Sequence, residues 1–285
     1  MDLQELQSFY EICESDFLEI QQLIIDIFTS GVTRSKKAPL AIILGGQPGS
    51  GKSELITAAQ KLVRNLNETL VICNADDYRD FHPRSQEIKH DHEEYYPELT
   101  VKYAQAWNNG LRAFCENNQY NYVMETTFSS GELMNETIAE IKKKNYQVAI
   151  MLLSVNRKWS YLGTYIRYED MKAASGSGRM VPKKVHDEKY RQVLSTLSCV
   201  AEKNLFDHIY IFGRSDPEDH SREHGVTMLQ YNPEDILTCY LDERDKAWSQ
   251  EIENYFLDCC TQIELKMKKR GASNVAIKKF YQDIQ

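Results

Sequence analysis

The 285-residue chain lacks several signatures, and each absence removes a class of protein. It has no stretch of about 18 uninterrupted apolar residues, so no helix crossing a bilayer is expected. The first residues, MDLQELQSFYEICESDF, are acidic and offer no basic segment ahead of an apolar run, so a secretory leader is not expected and the location read from the sequence is cytoplasmic. Net positive charge is missing too: the formal charge is −8 and the pI about 5.5. Since Lys and Arg neutralising phosphates supply most nonspecific nucleic-acid affinity, no nucleic-acid partner is expected. The seven cysteines (Cys13, Cys73, Cys115, Cys199, Cys239, Cys259, Cys260) are odd in number, scattered and without CxxC spacing, which reads as free thiols in a reducing compartment. There is no internal repeat, and one short small-residue tract, Ala173–Gly178, stands alone; it reads as a hinge or mobile loop.

What is present is ordinary globular material, 42% hydrophobic and 27% charged, enough for a sizeable core. Leu6, Phe9, Tyr10, Ile12, Phe17, Ile20, Leu23, Ile24 and Phe28 recur at three- and four-residue spacings, predicting one or two amphipathic helices over 4–29. Leu40–Leu44 is a short continuous apolar run, as in a strand buried on both faces. A helical pattern follows from Lys52 to about Leu66, then a second run, Thr69–Cys73. Further helices are predicted over 94–118 and Glu132–Lys144, with strands at Tyr122–Met124, Gln147–Leu153 and Ile209–Phe212. Strands alternating with helices predict an α/β fold: a mostly parallel sheet with helices on both faces and ligands at the carboxyl ends of the strands. The expected organisation is an N-terminal helical segment, 1–38, a core over 39–232, and a helical extension packed on the core from 233 to 285.

The chemistry begins at Gly46-Gln47-Pro48-Gly49-Ser50-Gly51-Lys52-Ser53, which satisfies GxxxxGK[ST] between a buried strand and a helix. Glycines let successive N–H groups turn inward around phosphates, and the helix N-terminus adds a favourable dipole. Lys52 would reach the β and γ oxygens, and the Ser53 hydroxyl would bind Mg²⁺. No NKxD tetrad is present to read guanine, so ATP is the expected nucleotide. Asp76 and Asp77 end the second strand; an Asp there can accept the proton of an acceptor hydroxyl, and Asp76 is the candidate base while Asp77 reads as a cap. Glu125-Thr126-Thr127 ends the third strand, where Glu125 could orient an acceptor or hold Mg²⁺ through water and one of the threonines could cap the next helix. Arg167 and Arg179 flank the small-residue tract, and a mobile loop can deliver such cations to the equatorial oxygens of a transferring phosphoryl group. Lys183, Lys184 and His186 read as a solvated face. His90-Asp91-His92 lacks the helical i, i+4 spacing of zinc pairs and reads as a polar loop over an acceptor pocket that His82-Pro83 would shape.

LGGQPGSGKS (Leu44–Ser53), NADDYRDFHP (Asn74–Pro83), YNYVMETT (Tyr120–Thr127), YLGTYIRYE (Tyr161–Glu169) and GRMVPKKVHD (Gly178–Asp187) together resemble the zeta-toxin family of bacterial toxin–antitoxin systems, P-loop kinases that phosphorylate UDP-activated amino sugars. The resemblance spans about half the chain. It implies that Lys52 binds ATP phosphates, that Asp76 deprotonates the 3′-hydroxyl of the amino sugar in UDP-N-acetylglucosamine, and that Glu125, with Thr127 and His82, helps hold that sugar. Arg167 and Arg179 would contact the phosphates, and an antitoxin protein would block the ATP site. Better-known members continue the third motif as Glu-Gly-Thr-x-Arg, where this chain has Thr126 for the Gly and Ser129 for the basic residue. Another UDP-sugar, or another small metabolite or antibiotic, is therefore kept as acceptor, and a regulatory ATPase as the reading from a different class.

Overall fold

The computed structural model describes residues 2–176, 178–214 and 225–284. The first helices are α1 (Leu3–Phe9) and α2 (Glu14–Thr29), split where Cys13 begins the second. Asp2 and Glu5 close α1 with a reciprocal capping box. Then β1 (Leu40–Gly45), α3 (Lys52–Asn65) and β2 (Val71–Cys73) form the first strand–helix–strand unit, followed by a 3₁₀ turn over Ala75–Phe81. Next come α4 (Ser85–Asp91), α5 (Tyr96–Asn118), β3 (Tyr122–Glu125), α6 (Gly131–Lys143) and β4 (Gln147–Leu153). Two long helices, α7 (Arg157–Ser175) and α8 (Lys183–Lys203), precede β5 (His208–Arg214) and β6 (Val226–Tyr231), and α9 (Ile236–Asp245), α10 (Gln250–Lys269) and α11 (Asn274–Ile284) finish the described chain.

The strands are ordered β2-β3-β1-β4-β5-β6, the first five parallel and β6 antiparallel at the edge. Alternation along the central strands divides the core in two. Ala41, Ile43, Val148, Ile150 and Leu152 face α2, α5, α6, α8 and α9, with Trp107 and Tyr240 buried among them. Leu40, Ile42, Leu44, Ala149, Met151 and Leu153 face α3, α7, α10 and α11, with Phe256 and Phe280. Each fully buried aliphatic or aromatic side chain contributes about 1.5–3 kcal/mol by leaving water. This two-sided burial is why the central strands read as unbroken apolar runs. Among the described residues, no helix is long and apolar enough to cross a membrane.

Two local expectations are corrected, and one strand was not foreseen. The tract read as a hinge is the end of a helix: Ala173–Ser175 complete α7 and Gly176, at φ +74°, caps it; Ser177 lies outside the described residues. His90 and Asp91 belong to α4, and His92 is its C-cap, so the polar loop expected there is helical. The edge strand β6 was not anticipated; none of its residues is buried, three being half-buried and three exposed, so burial wrote no apolar run.

Candidate functional site

The parallel strands point their carboxyl ends to one edge of the sheet, and β1, flanked by β3 and β4, ends at the point where chain order reverses. There a cleft of about 1070 Å³ is lined by Gly49–Ser53, by Asn74, Asp76, Asp77 and Glu125, and by Arg167 and Arg214. The octet Gly46–Ser53 wraps its floor. Gly49 takes φ +72° and Gly51 φ +102°, left-handed values that L side chains resist, and Gly51 opens α3. Gln47 is fully buried and donates through Nε2 to the Val155 carbonyl (2.9 Å), tying the cradle to the end of β4.

Lys52 folds back over this loop, its Nζ donating to the carbonyls of Gly46 (2.9 Å) and Gln47 (3.1 Å) and lying 3.8 Å from a Glu125 carboxylate oxygen. Burial lowers its pKa, with Glu125 opposing that shift. The Ser50 hydroxyl is buried with no hydrogen-bond partner among the described residues. A buried cation, an orphaned hydroxyl and the N-terminus of a 14-residue helix at one spot fit a polyphosphate. Ser53 is exposed on the cleft wall, and the nearby acceptors are oxygens, the donor type that Mg²⁺ prefers. Among the described residues, no cluster of three His, Cys, Asp or Glu side chains could hold a metal alone, so Mg²⁺ would depend on Ser53 and phosphate oxygens.

Asn74 organises the second wall. Its side chain accepts from the Asp76 amide (3.2 Å), starting the 3₁₀ turn, and donates to Asp77 (3.2 Å). Asn74 is thus the cap that the sequence assigned to Asp77. Arg79 donates from Nε to Asp76 Oδ1 (2.9 Å), and is itself anchored on the Pro97 carbonyl (2.9 Å) and Thr100 Oγ1 (3.0 Å). Arg167, from α7, reaches 3.5 Å from Asp76 Oδ2. Burial pushes Asp76 up, but the Arg79 hydrogen bond and the charges of Arg79, Arg167 and Arg179 outweigh it and hold the carboxyl low. Asp77, without such an arginine bond, is raised by burial and by the neighbouring Asp76 and Glu125.

After Glu125 the chain turns through Thr126, whose hydroxyl accepts from the Phe128 amide (2.7 Å), and through buried Phe128 at φ +49°. Thr127 bonds Ser129 (2.9 Å), and Ser130 is the N-cap of α6, so neither threonine caps that helix. Lys189 of α8 donates to Ser129 Oγ (3.2 Å), setting a cation where the sequence showed only a serine.

Lys52, Ser53, Asp76, Glu125 and Arg167 therefore meet in one cleft. Arg179 is exposed between α7 and α8 and acts on Asp76 through its charge. Thr127 stands at the exposed rim, outside the cleft lining. His82 is not brought to the cleft: it is buried, its Nε2 facing the Tyr10 carbonyl (3.1 Å), its Nδ1 accepting from the Arg84 amide (3.2 Å), its ring against Tyr103. Sequence reasoning missed Arg79, three residues after Asp76, and Arg214, which donates to the carbonyls of Gly49 (3.0 Å) and Ser50 (3.3 Å). A charged residue two positions beyond the predicted fifth strand, Ile209–Phe212, was the available signal for Arg214, which ends the observed β5. Trp159 of α7, with Trp248 from the segment before α10 and Ile252 and Tyr255 of α10, also lines the cleft, and no sequence pattern pointed there.

This fold and glycine-rich cradle define a P-loop α/β protein, with the cradle at the switch point of its sheet. Residues 27–224 match the family model described as Zeta toxin, and the chain belongs to that family. It is 29% identical over 182 residues to Toxin PezT of Streptococcus pneumoniae serotype 4, covering 64% of this chain and 71% of that protein. To Toxin zeta of Streptococcus agalactiae it is 28% identical over 179 residues, covering 62% of this chain and 61% of that protein. Among solved structures, one from the PezAT chromosomal toxin–antitoxin system of S. pneumoniae superposes with a TM-score of 0.74 at 23% identity, over 91% of this chain and 98% of that one. The AvrRxo1-ORF1:-ORF2 complex with ATP gives a TM-score of 0.54 at 10% identity, over 95% and 85% of the two chains.

Proposed function

We propose that this protein is a zeta-type toxin kinase that transfers the γ-phosphoryl group of ATP to the 3′-hydroxyl of the amino sugar in UDP-N-acetylglucosamine or a related UDP-sugar. The observation that carries the reading is the meeting of Asp76, Glu125, Arg167 and the cradle lysine Lys52 in one cleft, with Arg167 3.5 Å from Asp76 and Glu125 3.8 Å from Lys52. A hydrolase needs only a residue that positions water, whereas a kinase needs a base for the acceptor and cations for the moving phosphoryl group.

In this reading Asp76 takes the proton of the acceptor hydroxyl, whose oxygen bonds the γ-phosphorus as the bond to the ADP oxygen breaks. Lys52 and the backbone N–H groups of Gly46–Ser53 hold the phosphates, and Arg167 and Arg179 steady charge on the equatorial oxygens. Glu125 and Thr127 orient the sugar. Ser53 would hold Mg²⁺, which when bound neutralises charge on the β and γ oxygens. Lys189, bonded to Ser129, offers the acceptor side a cation from α8. His82, buried away from the cleft, would support the loop after Asp76 rather than touch sugar. The names of the PezT relative and of the PezAT system support an antitoxin protein as partner.

The test is incubation with ATP–Mg²⁺ and a panel of UDP-sugars, with products resolved by mass spectrometry beside Asp76→Asn. One added phosphoryl group on a UDP-sugar, absent in the variant, supports substrate and base together. ATP binding with no modified UDP-sugar would remove the substrate assignment and send the search to other small-molecule acceptors.

A further inference from the structure

A second polar chain lies behind the cleft, outside the residues that face it. Arg157, the first residue of α7, grips Asp187 of α8 with Nε on Oδ1 (2.8 Å) and Nη2 on Oδ2 (2.5 Å). Asp187 Oδ1 is 3.1 Å from His186 Nδ1, and His186 Nε2 is 2.9 Å from Ser160 Oγ, back on the first turn of α7. The sequence placed His186 on a solvated face with Lys183 and Lys184; instead the imidazole is fully buried, between Tyr161 and Tyr190.

Serine, histidine and aspartate in this order suggest a hydrolytic triad, but the environment is wrong for one. Ser160 is also fully buried, it is absent from the cleft lining, and its hydroxyl is within 3.1 Å of the Arg157 carbonyl. A nucleophile needs an open path to its substrate. Burial lowers the His186 pKa despite Asp187, which favours the neutral ring. The neutral tautomer that fits donates from Nδ1 to Asp187 and accepts the Ser160 hydroxyl at Nε2.

Where Ser160 stands decides what the chain does. Its backbone carbonyl faces Gly49 of the phosphate cradle so closely that a Cβ on Gly49 would overlap it, and the Thr164 amide nitrogen lies beside the same spot. The first turns of α7 are thus the seat of the cradle. Arg167 lies seven residues beyond Ser160, about two turns along the same rigid helix. Arg179 sits on the segment that enters α8, just ahead of His186. One buried chain therefore joins the cradle's seat to the helices carrying or following both arginines. The Arg157–Asp187 pair by itself would tie α7 to α8, and a buried imidazole adds desolvation cost that an apolar ring would avoid.

We propose that His186 is a positioning residue for phosphoryl transfer: by linking Ser160 of α7 to Asp187 of α8 it sets how α7 lies against α8 and so the approach of Arg167 to the transferred group. This rests on the kinase reading above. His186→Phe keeps the ring volume and removes both bonds, His186→Asn can reach Asp187 but not Ser160, and His186→Gln can reach Ser160. All three are measured for thermal melting, for affinity toward a fluorescent ATP analogue, and for kcat and KM of ATP consumption with UDP-N-acetylglucosamine present. They are compared with Arg167→Ala and with Arg167→Ala combined with His186→Phe.

The expected result is folded protein with nucleotide affinity kept within about twofold, and a kcat loss on the order of 10- to 100-fold in the Phe and Asn variants, as misplacement of a transition-state contact produces. The Gln variant recovers most of the rate, and His186→Phe costs nothing further once Arg167 is gone. A merely structural role gives the opposite order, Phe at least as active as Gln. That order, a wild-type rate in the Phe variant, affinity lost in step with kcat, or losses that multiply with Arg167→Ala would each overturn the proposal. Wild-type protein that binds and consumes no ATP would instead sink the kinase reading, and the wild-type measurement alone reveals it.

Discussion

The Cα of Gly163, in the middle of α7, lies against the carbonyl oxygen of Gly49 in the phosphate cradle, with no room for a methyl group between them. Two opposed effects meet at this position. Alanine is favoured over glycine inside a helix by about 1 kcal/mol, but here the added carbon would overlap a backbone oxygen that Arg214 also binds. Backbone cannot swing aside as a flexible side-chain end can. Gly163→Ala is therefore expected to lower the melting temperature and to weaken ATP binding at least tenfold, roughly 1.4 kcal/mol. Calorimetric titration with ATP checks it, and unchanged affinity would mean the cradle does not rest on α7.

Lys52 is expected to serve the ligand rather than the fold. In Lys52→Met the buried ammonium and its desolvation cost are removed, and the methionine stem fills similar space. The free protein should melt at or slightly above the wild-type temperature. At ATP one hundredfold above Kd, wild type gains about 2.7 kcal/mol, on the order of 5 °C in Tm. The variant should show no such gain, and a full ATP-dependent shift in it would contradict the cradle assignment.

The two aspartates should separate on substitution. Asp76→Asn is expected to abolish phosphoryl transfer while leaving ATP binding, and Asp77→Asn to keep most activity. The pH profile carries the sign. Because Arg79 and the other arginines hold Asp76 below its ordinary value, the working carboxylate persists as pH falls and activity is lost only on passing that depressed pKa. Arg79→Gln should move the acidic limb of kcat/KM toward higher pH. A limb that stays in place would show that Asp76 is not the titrating base.

Arg270, following α10, forks onto both oxygens of Glu169 on α7 (2.7 and 2.8 Å), and Glu169 is only 1% exposed. Arg270→Ala strands a buried carboxylate, which costs about 3 kcal/mol or on the order of 6 °C in Tm. Replacing both residues with apolar ones, Glu169→Leu with Arg270→Met, should recover much of that loss. Thermal melts of the three proteins decide it; an additive double variant would mean that the pair is not what joins α10 to α7.

Much of this architecture was legible in the chain because its causes are local. Burial on both faces writes apolar runs, so β1 and β4 could be read directly, and the glycines needed for Gly46–Ser53 to turn around phosphate are spelled out in order. Parallel connectivity then forces the carboxyl ends of β2 and β3 to one edge, which is why Asp76 and Glu125 could be read as neighbours from the sequence. His82 misled because closeness in sequence to Asp76 is not closeness in space: the 3₁₀ turn carries it beneath the surface, to Tyr10. Ala173–Gly178 misled because a glycine that ends a helix and one that frees a loop look alike in sequence.

The sequence by itself determined the five parallel strands, the glycine-rich cradle and the carboxylates at the strand ends, since each depends on residue type and short-range periodicity, but not the edge strand β6. Only the tertiary structure decided that Arg79 and Arg167 converge on Asp76, that α7 seats the cradle through Gly49 and Gly163, that His186 is buried against Ser160, and that Trp248 and Tyr255 wall the cleft. Apart from the three-residue step from Asp76 to Arg79, those relations join segments from about twenty to two hundred residues apart, and packing between helix faces, which no local pattern encodes, chooses them.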